Sequence, residues 1–545
     1  MFVLFVSTQT IVLAGDIIVD AGVSLELVDQ QINTKDDPKQ EIAVINKIVK
    51  PYASLSYKAK AFEAFFKGTN NQVRRELDTE TTKQDFMEYQ YSGKYDIVKN
   101  VLSFEASGLR SYRSNNFNSF LVDDFLLNGD SLNKVTSDRA NLELNVRRGE
   151  IYGLTASSSY SRINSGQRIN NVVDESVFDN ESYSLSLNAI SGKNLEGARI
   201  NLSSSLRNSK RGTGQDFVSQ LVSLSTDIDA YGDFGITLNG TYENNEIKTD
   251  FDAPNNGLRE FYSVGAGLIW QPQSNRKIDI LWNRSFTESE VEGADDEEDD
   301  FLSYNINWAF SGRTSLQASF NRRFFGNAGN LSFRHQTRNW RSSISYTEIV
   351  SSSSQLINSS EVGLFICENG STNIADCRLS DTLEPDLQTG ETLQPLVVQN
   401  FGLNDRIILR KSLSAQTAVT RRRTTLSLTG TKAEDEEIEN DRIFNTTTIN
   451  TGLAFSLSQN TKIQYNFRYS TVELDEEGEL ESATTKVHSL ELSRKISKRF
   501  STALSASYLD RNGEVTRGTP SLRGLNGPLT DRRITFRISY SLGVK

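Results

Sequence analysis

The feature that most constrains this chain is a two-residue periodicity that returns in segment after segment along its length. Successive side chains of a β-strand point to opposite faces, so strict apolar–polar alternation describes a sheet that meets two different media. Near the C-terminus Ile534, Phe536, Ile538, Tyr540 and Leu542 alternate with Thr535, Arg537, Ser539, Ser541 and Gly543. Ile463, Tyr465, Phe467 and Tyr469 alternate in the same way with Gln464, Asn466, Arg468 and Ser470. Leu302, Tyr304, Ile306, Trp308 and Phe310 enclose Ser303, Asn305 and Asn307, and Tyr262, Val264, Ala266, Leu268 and Trp270 enclose Ser263, Gly265 and Gly267.

Alternation alone would also suit a soluble sandwich. Two features separate the cases. The polar positions hold Arg, Asn, Gln and Ser, as the wall of a wet bore would. Aromatic residues (Trp270, Trp282, Trp308, Trp340, Tyr508, Tyr540) recur near the ends of the segments, where interfacial girdles sit. The hydrophobic fraction of 37% and mean hydropathy of −0.46 suit strands that are apolar on one face only. A helical span needs about 20 consecutive apolar residues, and the sequence has no such run. Only eight prolines occur in 545 residues, consistent with a chain that must keep its ladder donors. The expected fold is therefore all-β, a transmembrane antiparallel up-and-down β-barrel of the bacterial outer membrane. Trp270, Trp308, Phe467, Phe536, Ile538 and Tyr540 are expected to face lipid, and Gln464, Asn466, Arg468 and Arg537 the lumen.

Turn positions test this independently. Short turns are expected at 58–60, 98–100, 147–150, 191–194, 231–233, 272–275, 311–313, 337–339, 421–423, 459–461 and 497–499. Eleven turns separate twelve hairpins, giving about 24 strands, within two either way. The connections at the other end are mostly longer and polar, as at 113–138, 164–181, 247–259 and 351–400, with one tight exception at 326–330. Long loops face outward and short turns face the periplasm in such barrels. Residues 1–14 resemble the apolar region and small-residue cleavage site of a secretory signal. The expected organisation is thus a signal peptide over 1–14 and one barrel over 15–545, with a loop insertion at about 351–400. No stretch of roughly a hundred residues is left for a lumen plug.

Net charge is −11, and its distribution says more than its total. Acidic clusters at 292–300, 434–441 and 473–481 are expected in extracellular loops, as solvated tips or, less simply, as carboxylates bridged by divalent cations to lipopolysaccharide. Basic pairs and triplets crowd the short turns (Arg147-Arg148, Arg276-Lys277, Arg421-Arg422-Arg423, Lys498-Arg499), where an acidic periplasmic or export-system protein could dock. Cys367 and Cys377, the chain's two cysteines, read as a disulfide stapling a loop of an exported protein. The two histidines, His335 and His488, share parity with outward apolar neighbours, and neither has a Ser and acid partner on its face. Glycine-rich phosphate loops, zinc-spaced Cys/His sets and haem-attachment pairs are absent from the sequence. No enzymatic activity or cofactor is expected, and the negative balance argues against nucleic acid.

Leu268-Ile269-Trp270-Gln271-Pro272 and Phe320-Asn321-Arg322-Arg323-Phe324-Phe325-Gly326, followed by Leu331-Ser332-Phe333-Arg334-His335 and Trp340-Arg341-Ser342-Ser343-Ile344-Ser345-Tyr346, carry a resemblance. With the early strand Pro51-Tyr52-Ala53-Ser54-Leu55-Ser56, they make the chain similar to the outer-membrane β-barrel proteins associated with PEP-CTERM/exosortase systems. The resemblance implies a role beside exopolysaccharide synthesis and export. The expected function is a pore or conduit with a polysaccharide cargo; the alternative is a non-conducting scaffold or anchor for a periplasmic or surface protein. Either would sit among outer-membrane lipid and lipopolysaccharide.

Overall fold

In a computed structural model the chain is a single closed antiparallel ring of 24 strands. The structure describes residues 15–542 except 36–39, 77–80, 115–124, 129–131, 167–177, 212–214, 250–257, 290–296, 353–363, 369–376, 380–390, 396–406, 438–441, 477 and 516–526. The expected signal peptide lies outside the described residues.

The first third of the ring is β1 (Asp16–Thr34), β2 (Glu41–Lys58), β3 (Phe62–Glu76), β4 (Thr81–Val98), β5 (Leu102–Ser114), β6 (Leu132–Val146), β7 (Tyr152–Gly166) and β8 (Phe178–Ser191). Then come β9 (Ala198–Arg211), β10 (Gln215–Tyr231), β11 (Phe234–Thr249), β12 (Leu258–Gln273), β13 (Arg276–Ser289), β14 (Glu297–Ser311), β15 (Thr314–Arg323), β16 (Gly326–Gln336) and β17 (Trp340–Ser352). A separate small sheet holds β18 (Leu364–Glu368), β19 (Cys377–Leu379) and β20 (Glu391–Pro395). The ring resumes with β21 (Ile407–Arg421), β22 (Thr424–Glu437), β23 (Ile443–Ser456), β24 (Thr461–Glu476), β25 (Glu479–Lys495), β26 (Phe500–Glu514) and β27 (Leu529–Ser541). Each strand pairs with its sequence neighbours, β17 with β21, and β27 with β1 from Gly22–Ser541 to Thr34–Leu529, so the sheet has no free edge.

All eleven expected short turns are connections between strands. In one of the two-residue turns, β21 passes to β22 through Arg422, whose φ is +54°, the backbone sign that a two-residue hairpin matched to strand twist requires. The tight connection at the other end lies at Phe324-Phe325, between Arg323 and Gly326, rather than at 326–330.

Which face is the inside follows from reach. A closed cylinder brings the side chains of non-adjacent strands together on its concave face and splays them apart on its convex one. Lys277 of β13 meets Asp227 of β10 at 2.8 Å across three strands, and Arg323 of β15 meets Glu243 of β11 across four, whereas ring contacts on the other face such as Trp270–Trp308 span two. The parities of these ion pairs are therefore lumenal. The opposite parity carries the exposed apolar set, for instance Phe234, Ile236 and Leu238 on β11 and Val264, Leu268 and Trp270 on β12.

Two aromatic rows bound that outer belt. At the short-turn end Tyr57, Phe62 and Tyr95 adjoin, and Trp270 packs on Trp308 at 5.4 Å between ring centres. Towards the other end lie Tyr160 with Tyr183, 5.0 Å apart, and Tyr262 with Phe286, 5.6 Å apart. On β11 the rows fall at Phe234 and Tyr242, about 26 Å apart along a strand rising ~3.3 Å per residue. Tilted by ~35–45°, that distance becomes roughly 20 Å along the barrel axis, close to the apolar band of an outer-membrane barrel. The protein is an outer-membrane β-barrel, with its short turns on the periplasmic side. Trp282 departs from the expected strand-end placement: it stands mid-strand opposite Ala266 and Leu302, within the belt rather than at its edge.

The described parts of the acidic clusters also differ from the expectation of loops, while 292–296, 438–441 and 477 lie outside the described residues. Glu297–Asp300 begin β14, Glu434–Glu437 end β22, and Glu473–Glu476 and Glu479–Glu481 belong to β24 and β25. The strands continue past the membrane because cations meet these carboxylates. Lys411 pairs with Glu434 at 2.8 Å, Arg410 with Asp435 at 3.2 Å, and Arg442 with Glu476. Cys367 and Cys377 are register partners of β18 and β19 inside the insertion. If they form the expected disulfide, two thiols should titrate after reduction of the unfolded chain and none before; free thiols without reductant would remove the staple.

Candidate functional site

The candidate site is the bore, whose wall changes character around its circumference. On β7 to β10 serine is the commonest inward residue, and several serines are joined by side-chain hydrogen bonds across the strands: Ser157–Ser186 at 2.7 Å, Ser159–Ser184 at 2.6 Å and Ser203–Ser223 at 2.6 Å. A second hydroxyl panel lines β17 and β21, with Ser345–Ser414 and Thr347–Ser412 at 2.9 Å and Gln416 donating to Ser343 at 2.8 Å. Serine is a poor strand former, yet here it is the smallest side chain that keeps the wall wetted.

Across the barrel the wall is ionic. Glu26 of β1 accepts from Lys50 and Arg537, each at 3.1 Å, and Arg533 pairs with Asp531. Gln30, fully buried, donates to Asp531 and accepts from Asn46. A smaller ionic group lies towards the periplasmic end, where Lys277 bridges Asp227 and Asp279 and Thr237 donates to Asp227.

At the extracellular end the polar rule fails. Val28, Ile48, Val73 and Phe86, all of lumenal parity, are buried with Tyr112 and Leu132 around a short helix, α1 (Phe125–Asn128), that follows β5. Leu127 of the same helix packs on Ile32, Leu509 and Leu529, so α1 joins the walls on both sides of the β27–β1 seam. Arg75 donates to the carbonyl of Phe125 at 2.5 Å and anchors it. Pairing of β4 with β5 ends at Tyr89–Arg110 although both strands continue, and this opening lets Tyr112 meet Phe86 edge-on, 5.1 Å between centres.

A second body leans in from elsewhere on the rim. The β15–β16 hairpin continues to Arg323–Gly326, but β14 leaves it at Tyr304–Phe320 and β17 at Asn330–Thr347. Its tip is thus free of both neighbours. Phe324 and Phe325 pack in one cluster with Phe217 of β10, Val350 of β17 and Ile407 and Leu409 of β21. Arg323 reaches Glu243 on β11, four strands away, with bonds of 2.5 and 3.1 Å; the Glu243 side chain is 0% exposed. The two bodies narrow the mouth.

Of the sequence-derived lumen candidates, Gln464 is buried (1% exposed), and Asn466 and Arg468 share its parity; Arg537 holds Glu26. Trp270, Phe536 and Tyr540 are exposed, and Trp308, Phe467 and Ile538 are partly covered by neighbours of the same outer parity. His335 bonds Thr314 at 2.9 Å and lies edge-on to Trp340; His488 bonds the Tyr465 hydroxyl at 2.9 Å beside Phe467. Among the described residues no group of acidic, His or Cys side chains could hold a metal ion. The α1 contacts and the Glu243–Arg323 pair are absent from the sequence reading. The helix had a signal, since Phe125-Leu126-Leu127 is an apolar triplet inside a loop otherwise read as polar. The ion pair had none, its partners being 80 residues apart.

No protein-family model matches the chain, and no curated protein does. Among solved structures it is similar to the FrpB iron transporter from Neisseria meningitidis (F5-1 variant), with 10% identity over 96% of this chain and 82% of that one and a TM-score of 0.45. It is similar also to the siderophore receptor PirA from Acinetobacter baumannii, at 8% identity, 96% and 80% coverage and a TM-score of 0.42. The copper transporter OprC matches at 10% identity, 97% and 81% coverage and a TM-score of 0.36. Likenesses of this strength assign no cargo to this chain.

Proposed function

We propose that the barrel is a conduit for a bulky, hydroxyl-rich polymer, an exopolysaccharide or related surface glycan. The observation that carries this reading is the pair of hydroxyl panels on β7–β10 and β17–β21. Each hydroxyl both donates and accepts, so a sugar chain exchanges one hydrogen bond for another as it advances. Fixed charges, which would hold an ionic cargo in place, gather around Glu26, Arg537 and Asp531 and in the smaller periplasmic group of Lys277, Asp227 and Asp279 rather than among these bonded hydroxyls. The resemblance of 268–272 and 320–326 to exosortase-associated barrels supports the same cargo class.

Purified barrel in a planar bilayer tests this. Residues 353–406 can be replaced by a short Gly-Ser linker, because Ser352 and Ile407 already face each other in register. A conducting pore whose current rises after the replacement and is blocked by added neutral polysaccharide supports the conduit. Silence before and after favours the second reading, a non-conducting scaffold or anchor, which the two apolar bodies in the mouth support.

A further inference from the structure

The outer wall carries a cleft of about 410 Å³ across β24 to β27 and β1. Its floor is one register row, Tyr465–Leu490–Ala506–Ile534–Asp29, and its upper lip the next, Phe467–His488–Tyr508–Arg532–Gln31. Ala506 creates the hollow: a methyl group stands between Leu490 and Ile534, where every neighbour is larger. Because strands tilt in a barrel, a register row climbs as it passes round the wall. Tyr465 is four residues up β24 from Thr461, whereas Asp29 is thirteen up β1 from Asp16. The cleft therefore runs obliquely from the apolar belt to the extracellular membrane interface, greasy at its lower end and charged at its upper end.

Arg532 stands at that upper end. Its guanidinium lies 5.9 Å from the centre of the Tyr508 ring, and it forms no ion pair among the described residues. Several other outward cations towards the extracellular end meet a carboxylate, Arg162 with Asp179, Arg284 with Glu298 and Lys411 with Glu434, whereas Arg110, like Arg532, lies over a tyrosine ring. Arg532 instead faces Gln31 across the strand pair, while Asp29 lines the cleft opposite Ile534.

We propose that this cleft is a discrete site for a phosphorylated acyl lipid of the outer leaflet. One acyl chain lies along Leu490, Ala506 and Ile534, and a phosphate takes the Arg532 guanidinium, whose planar fork matches it with two donors. The occupant is lipid because lipid is the solvent of this wall, and a dry hollow lined by apolar groups forfeits dispersion contacts unless a chain fills it. The site does not depend on what passes through the bore.

The test is titration of the detergent-solubilised full chain with lipid A, an acylated and phosphorylated diglucosamine, read by native mass spectrometry. Wild type is expected to retain one lipid through detergent exchange. Ala506→Trp, which fills the hollow, and Arg532→Gln, which keeps its shape, should each weaken retention about tenfold or more, with Arg532→Lys between. Far-UV spectra with unchanged strand content show that the variants fold; if Ala506→Trp does not, Arg532→Gln carries the test. Equal retention by wild type and Arg532→Gln overturns the site, as does equal binding of dephosphorylated lipid A. A wild-type dimer that Ala506→Trp makes monomeric would reassign the cleft to a second copy of the chain and equally overturn it.

Discussion

Replacing Arg323 with Met is expected to destabilise the folded barrel by about 3–5 kcal/mol, the usual consequence of stranding one member of a buried ion pair. Glu243 is fully enclosed and both of its oxygens take bonds from this guanidinium. Four strands of wall separate the partners, some 19 Å at ~4.8 Å per strand, so only the inward lean of the β15–β16 tip brings them together. The same substitution should release Phe324 and Phe325 from their cluster and raise single-channel conductance if the bore conducts. The double variant Arg323→Met with Glu243→Gln should recover most of the loss, because the uncompensated charge is gone. Urea midpoints in detergent measure all three proteins. A single variant as stable as wild type, or a double variant no better than the single one, would show that the pair does not hold the tip.

The second large effect concerns the outer belt. Leu238 lies midway between Phe234 and Tyr242 on β11 and is 46% exposed on a wall that faces lipid. Leu238→Arg should cost about 2–4 kcal/mol, as cations do on the lipid face of a barrel near the bilayer midplane. Asn239, the next residue, faces the bore, and Asn239→Arg should change stability by no more than about 0.5 kcal/mol, as on other wetted surfaces. Reversible unfolding in phospholipid vesicles compares the two. Similar costs for both would mean that the parity of β11 has been misassigned or that this wall does not meet hydrocarbon.

How much of this was legible in the sequence depends on height within the barrel. In the membrane zone each strand meets lipid on one side and water on the other, so alternation reports the fold directly, and strand count, turn positions and the parity of residues such as Leu238 and Asn239 follow. Above the membrane both faces meet water or packed loops, and the rule loses its meaning. Val28, Val73 and Phe86 occupy lumenal positions where alternation would place polar side chains; they are apolar because α1 covers them. The acidic stretches looked like loop tips because charge runs usually are. They are strands here because Lys411, Arg410 and Arg442 stand in register to meet them, and those partners come from other segments. The bodies in the mouth depend on where lateral pairing stops, at Tyr89–Arg110 and at Tyr304–Phe320, which no local pattern encodes.

The seam between β27 and β1 has a consequence for biogenesis. Nearly every other joint in the ring is made between hairpin neighbours, whereas this one brings Gly22 beside Ser541. Contacts so distant along the chain form slowly, since they require a very large loop to close. Until they do, the nascent sheet presents two naked edges to anything nearby. Synthesis must therefore be complete before the wall can seal, and a chain cut short before Leu529 would be left as an open, adhesive ribbon rather than a smaller pore.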